Sequence, residues 1–322
     1  MTIYKKRATL TVSLAQMAPV WLNRAKTLEK IMDYVNQAAD QDAELVVFGE
    51  SLLPGYPFWL SITNGAAFND QKQKEIHAHY LREAVNIERG DLDPLCQLAA
   101  QRSIAVYLGT IERPMDRAGH SCYCSLVYID PQGQIQSVHR KLQPTYEERL
   151  CWSPGDGHGL QVHPLKGEFR VGGLNCWENW MPLSRTALYA QGMNVHVAAW
   201  PGGDHNTHDL TRFIAKESRS YVLSVSGLMS KAMIPAEVPY AEEMIANAPE
   251  WMANGASCIA APDGEWVIEP ILHEEGVFTA ELELQKIYEE RQNFDPTGHY
   301  SRPSVTRLEV NRERQSLVHF KD

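Results

Sequence analysis

Four consecutive apolar residues, Leu45-Val46-Val47-Phe48, stop at Gly49-Glu50, and Pro54, Gly55 and Pro57 follow. A run this short and unbroken reads as a strand buried on both faces, with a loop beginning just after Glu50. Upstream, residues 9–17 nearly alternate between apolar and polar, as a half-buried strand does. Between the two strands, Leu22, Ala25, Leu28, Met32, Val35 and Ala39 recur at helical spacing with charge between them. Strand, helix, buried strand is the opening of an α/β fold.

The same alternation continues along the chain. Residues 70–86 and 93–100 read as helices and 104–109 as a strand. Residues 123–130 and 135–138 flank Pro131-Gln132-Gly133-Gln134 as a hairpin. A strand at 170–174 ends at Asn175-Cys176, a helix follows at 183–191, and 194–200 is a strand. Residues 214–218 belong to a further helix and 222–228 to a further strand. A second hairpin surrounds Pro262-Asp263-Gly264, and a late strand at 278–284 leads into a polar helix. The expectation is one α/β domain over residues 1–322, with mixed sheets covered by helices and a polar tail from about residue 305.

Composition narrows the classes of function. Hydrophobic residues make up 44% of the 322 and charged residues 22%, enough apolar material for a large core. A net charge of −10 without a dense basic run argues against nucleic acid or an anionic membrane surface as partner. Six cysteines are too few for a disulfide scaffold. Lys5-Lys6-Arg7 ahead of an apolar stretch has the look of a signal peptide. Thr9, Thr11, Ser13 and Gln16 interrupt that stretch, which suits a strand better. No segment has the apolar length to span a bilayer. The expectation is a cytoplasmic protein with reduced thiols.

Three expected strand ends carry reactive side chains: Glu50, Lys141 and Cys176. Function concentrates at the carboxyl ends of strands in α/β folds. Each residue also has an ordinary reading: a capping carboxylate, a surface lysine, a small buried hydrophobe. Together they are complementary. A thiol attacks, a carboxylate takes and returns protons, and an ammonium stabilises developing negative charge.

Around these residues stand Phe48-Gly49-Glu50, His139 to Thr145 with Glu148-Arg149, and Asn175-Cys176-Trp177-Glu178-Asn179 with Met181-Pro182-Leu183. These strings resemble those of the nitrilases, a branch of the carbon–nitrogen hydrolase superfamily. The likeness runs in order from about residue 9 to about residue 307. It includes Trp152, Gly155-Asp156-Gly157, His196 to Pro201, and Gly298 to Pro303. It implies a four-layer α-β-β-α sandwich with two mixed β-sheets. It also implies Cys176 as nucleophile, Glu50 as general base and acid, Lys141 as charge stabiliser, and Glu148 as a second carboxylate that orients them or a water. No metal or organic cofactor is implied. Assembly is implied as a homodimer or higher even homo-oligomer, open to extension into a spiral.

The implied reaction is hydrolysis of an organic nitrile to an acid and ammonia through a covalent Cys176 thioimidate and thioester. Tyr56 and Trp177 are expected as walls of the substrate pocket, with Glu178 and Asn179 assigned to it as well. Aromatic walls favour aromatic nitriles or arylacetonitriles. Aliphatic nitriles, cyanide, and the amidase and carbamoylase reactions of the same superfamily are the alternatives. Other constellations carry less. His205 and His208 lack an acid-rich zinc motif. Cys122 and Cys124 share one face of a strand, which suits packing. The run 155–159 is rich in glycine but lacks the strand-before, helix-after setting of a phosphate loop. His299 lies in a stretch matching a position near the active site or a subunit contact.

Overall fold

A computed structural model describes residues 8–318 and Lys321. The Lys5-Lys6-Arg7 run lies outside the described residues. Thirteen strands occur among those described: β1 (Thr9–Gln16), β2 (Leu45–Phe48), β3 (Ala105–Glu112), β4 (Tyr123–Ile129), β5 (Ile135–Arg140), β6 (His163–Pro164), β7 (Arg170–Asn175), β8 (Val195–Trp200), β9 (Tyr221–Ser226), β10 (Leu228–Ser230), β11 (Trp251–Ala260), β12 (Trp266–Leu272) and β13 (Gly276–Glu283). The helices are α1 (Arg24–Asp40), α2 (Trp59–Ile62), α3 (Gln71–Glu83), α4 (Asp93–Arg102), α5 (Pro182–Tyr189), α6 (Asp204–Ser218), α7 (Ala241–Asn247) and α8 (Leu284–Arg291).

The strands form two mixed sheets. The first runs β13-β1-β2-β3-β4-β5, parallel in its centre and antiparallel at both sides. The second runs β10-β11-β9-β8-β7-β6, with β12 also paired to β11. Its centre, β7-β8-β9, is parallel. Burial explains why β2 is apolar without a break. Leu45 and Val47 point into a core shared with Val171, Val197 and Leu223 of the second sheet. Val46 and Phe48 point the other way, onto Ile31 and Val35 of α1 and Leu95 of α4. On the far side, Ala198, Trp200 and Val222 pack on Leu210 and Ile214 of α6, and Leu174 packs on Leu188 of α5. The order is therefore helix, sheet, sheet, helix.

The elements expected from periodicity are present, with shifted ends. The helix to which 214–218 belong, α6, starts at Asp204, so His205 and His208 sit in its first turns. β11 starts at Trp251, ahead of the expected 257, and α7 and β10 are too short to show a period. Among the described residues no helix is long and apolar enough to cross a membrane.

Candidate active site

Glu50 follows β2, where two glycines let the backbone come close to its neighbours. A Cβ on Gly109 of β3 would lie 2.0 Å from the Gly49 carbonyl oxygen and 2.7 Å from Glu50 Cα. A Cβ on Gly49 would lie 3.0 Å from the Trp200 carbonyl oxygen, which accepts the Glu50 N–H at 3.0 Å. The end of β2 in one sheet is thus tied to the end of β8 in the other.

Lys141 is the residue after β5. Its Nζ lies 2.7 Å from Glu50 Oε1 and 2.7 Å from Glu148 Oε2, and all three side chains are essentially without solvent exposure. Glu148 belongs to a tight turn at Tyr146–Leu150 and reaches back to accept the Thr145 N–H at 2.6 Å. Its other oxygen accepts from the Tyr56 hydroxyl at 2.9 Å. Two glycines bring a loop against β5. A Cβ on Gly155 would fall 2.1 Å from the Arg140 carbonyl oxygen, and one on Gly159 would fall 2.2 Å from His139 Cα. Gly155 N–H donates to the Lys141 carbonyl at 2.7 Å. The glycine-rich run 155–159 is a support for the lysine strand.

Cys176 opens a tight turn, Cys176–Trp180, directly after β7. Its φ of 45° lies in the left-handed region, which costs a non-glycine residue on the order of 1 kcal/mol or more. Buried hydrogen bonds hold it there. Glu178 accepts from Asn175 N at 2.9 Å, from Leu142 N at 2.7 Å and from His139 Nε2 at 3.0 Å. Asn179 Nδ2 donates to the carbonyls of Leu174 and Cys176 at 3.2 and 2.9 Å. Its Oδ1 accepts from His196 Nε2 at 2.7 Å. Burial depresses the His196 imidazole to about 3, so the ring is neutral.

The two sheets bring these ends together. Glu50, Glu148 and Cys176 each offer an atom within 4.8 Å of the others. This is the set spaced to share a metal ion among the described residues, and the Lys141 ammonium already contacts both carboxyl groups. His205 and His208 belong to no such set; His208 contacts the exposed Asp209 instead. A cavity of about 390 Å³ opens onto Cys176 and Glu148, with Glu50 and Lys141 sealed beneath it. Tyr56 and Trp177 line it. So do Phe58, Trp251, Met252, His205 and Asn206. Glu178 and Asn179 lie behind the Cys176 elbow, the turn Cys176–Trp180, with their polar atoms bound to protein, rather than on the cavity wall. Trp59 is core against Trp21 and Tyr80, and Trp180 is about half exposed outside the cavity. His205 and Asn206 follow the end of β8, and that strand-end position is the signal that could have found them. Trp251 and Met252 left no such signal, because they reach the cavity only through the pairing of β11 with β9 and β10.

The electrostatics fit a proton relay. Burial pushes Glu50 up to about 7, against the pull of Lys141 and with the push of Glu148. Its Oε2 is buried and has no hydrogen-bond partner among the described residues. Burial works against charge on Lys141, but Glu50, Cys176 and Glu148 hold its ammonium well above the ordinary lysine range. Burial, then Glu50, pushes the Cys176 thiol well above its usual range, while Lys141 and the Trp177 N–H pull it down. The resting group is therefore a thiol beside a base able to take its proton.

Similarity to known proteins agrees with this arrangement. Residues 11–292 match the carbon–nitrogen hydrolase family model. The chain is 37% identical to "Nitrilase 2" of an unknown prokaryotic organism, covering 97% of this chain and 96% of that one. It is 32% identical to "Nitrilase 2" of Arabidopsis thaliana, covering 96% and 90%. In fold it is similar to Nit3 of Saccharomyces cerevisiae, a member of branch 10 of the nitrilase superfamily. That match has a TM-score of 0.66 at 17% identity and covers 93% of this chain and 99% of that one. A thiol, a carboxyl and an ammonium gathered from two sheets, on a chain matched nearly end to end, belong to an enzyme of the carbon–nitrogen hydrolase family, in its nitrilase branch.

Proposed function

We propose that this chain hydrolyses an organic nitrile to its carboxylic acid and ammonia. The observation that carries the reading is the meeting of Cys176, Glu50 and Lys141 at the floor of an aromatic cavity. Glu50 Oε2 takes the thiol proton as Cys176 Sγ bonds to the nitrile carbon. The nitrogen accepts that proton, giving a thioimidate, while Lys141 and the Trp177 N–H offset the charge building there. Water then adds to the thioimidate carbon. The tetrahedral adduct expels ammonia and leaves a thioester, and a second water releases the acid and restores the thiol. Glu148 holds the Lys141 ammonium, and Tyr56 holds Glu148.

Tyr56, Phe58, Trp177 and Trp251 support an aromatic nitrile or arylacetonitrile as substrate, since flat rings gain from stacking and edge contacts. Trp180, Leu183 and Phe213, exposed on and beside α5 and α6, support assembly into even homo-oligomers. The six unpaired cysteines support a reducing, cytoplasmic setting.

A panel of benzonitrile, phenylacetonitrile and short aliphatic nitriles, each beside its amide, tests the reading, with ammonia, acid and amide all quantified. Acid and ammonia from phenylacetonitrile are expected, and Cys176→Ala should lose all turnover while keeping its unfolding temperature. Turnover confined to the amides would replace nitrile hydrolysis with amide hydrolysis. Far faster turnover of short aliphatic nitriles would overturn the substrate class.

A further inference from the structure

Cys124 of β4 is a second thiol at the site and touches two members of the catalytic group. Its carbonyl accepts the Lys141 N–H at 2.7 Å. Its Sγ lies 3.4 Å from Glu50 Oε1, placed to donate to it. Both side chains are buried. Glu50 Oε1 therefore receives two donors, Lys141 Nζ and the Cys124 thiol, while Oε2 receives none among the described residues. A carboxyl group can rotate about its last bond, and whichever oxygen is freer of donors is the one able to take a proton. Two donors on one oxygen fix that choice.

Resting on the reading of Glu50 as the base, we propose that Cys124 is a positioning residue: its thiol, with Lys141, pins Oε1 of Glu50 so that Oε2 is the oxygen that exchanges protons with Cys176. Cys124 suits the task because it stays protonated. Burial, then the Glu50 carboxyl, raises its ionisation well above the usual thiol range, so S–H is the form present at working pH. A weak donor is also suited to a base. A thiol hydrogen bond steadies the carboxylate without removing the basicity the reaction needs, where a stronger donor would draw it down.

The groups facing Glu50 are Lys141 at the end of β5, Glu148 with its partner Tyr56, Cys176 at the elbow, and Cys124. Only Cys124 can be altered without removing a charge, the nucleophile or a partner of Glu148. Its test is a pH profile of Cys124→Ala and Cys124→Ser. The readouts are kcat/KM on phenylacetonitrile and, in parallel, the rate of Cys176 alkylation by iodoacetamide, followed on the Cys176 peptide. Loss of the donor favours the protonated form of Glu50. In Cys124→Ala the acid limb of both profiles should move to higher pH by about half a unit or more, with kcat/KM at pH 6, on that limb, lower by roughly threefold to tenfold. Cys124→Ser restores a donor and should bring the limb back to or below its original position.

Coincident limbs for wild type and Cys124→Ala overturn the proposal, and so does a serine variant that shifts as alanine does, which is the mark of packing. Equal unfolding temperatures are the condition for comparing limbs. An alanine variant that loses stability is replaced by Cys124→Val, which fills the space without a donor and should shift as alanine does. Alkylation needs no nitrile, so failure to turn over nitriles counts against the proposed function alone. An acid limb that survives Glu50→Gln removes the base reading and this inference with it.

Discussion

At the residue scale, the site turns on one ammonium serving two buried carboxyl groups. Because burial lifts Glu50 to about 7, the base form is lost as pH falls through neutrality. We expect kcat/KM to drop about tenfold for each pH unit below this point, which a pH–rate profile measures directly. The same lift has a consequence for stability. A carboxyl group whose folded value exceeds its unfolded value favours folding at low pH, and that contribution fades as pH rises from about 4.5 to about 7. Glu50→Gln should therefore gain stability relative to wild type as pH rises through that window, by about 3 kcal/mol at most, while losing activity. Thermal unfolding at pH 5 and pH 8 checks the sign. Lys141→Arg keeps the charge but brings a planar fork into a space built for a point donor with two contacts at 2.7 Å. A loss of roughly a hundredfold or more in kcat is expected, and near-normal kinetics would place Lys141 outside the reaction.

At the scale of elements, two short turns follow one plan. In each, a carboxyl group reaches back three residues to the N–H at the start of its turn: Glu148 to Thr145 and Glu178 to Asn175. Each also reaches across to the lysine segment, Glu148 to the Lys141 ammonium and Glu178 to the Leu142 N–H. Glu178 thereby joins the peptide unit before Cys176 to the one after Lys141. Its carboxyl is held below the ordinary range despite burial, chiefly by His139 and then by the backbone donors. Glu178→Ala leaves three buried donors unsatisfied, at a cost of about 1–3 kcal/mol each, so a variant of several kcal/mol lower stability is expected. Urea unfolding measures this, and loss of Cys176 alkylation in the fraction still folded would show the elbow displaced. Nothing in the string Cys176-Trp177-Glu178-Asn179 tells that Glu178 faces inward, because a short tight turn has no period from which to read a face.

At the scale of the whole molecule, the tail that composition marks only as polar is a strap. Arg314 pairs with Asp156 at 2.9 Å and donates to the Val138 carbonyl at 3.0 Å, and the Gln315 N–H donates to Asp156 at 3.1 Å. These contacts press the 155–159 loop against β5, whose end carries Lys141. Asp156→Ala should free the tail, lower stability by roughly 1–3 kcal/mol and expose residues beyond 310 to limited proteolysis. A cleavage pattern identical to wild type would show that other contacts hold the strap.

Alternation of apolar residues, helical spacing and turn residues were enough to place most strands and helices, because periodicity is a local property. Glu50 was legible for the same reason, since it follows an unbroken apolar run, whereas Lys141 follows a strand that is polar and partly exposed and was singled out by the likeness of its surrounding string. The cavity walls have no such local signature. Phe58, His205, Asn206 and Trp251 come from separated segments, and Glu178 turns away from a pocket that its neighbour Trp177 lines. Local sequence determined that a sulfur, a carboxyl and an amine would each stand at the end of a strand. Only the packing of two sheets face to face decided that these ends meet, which oxygen of Glu50 is left free, and which aromatic rings surround the thiol. Long-range contacts set those distances and desolvate the groups, and no short stretch of chain encodes either effect.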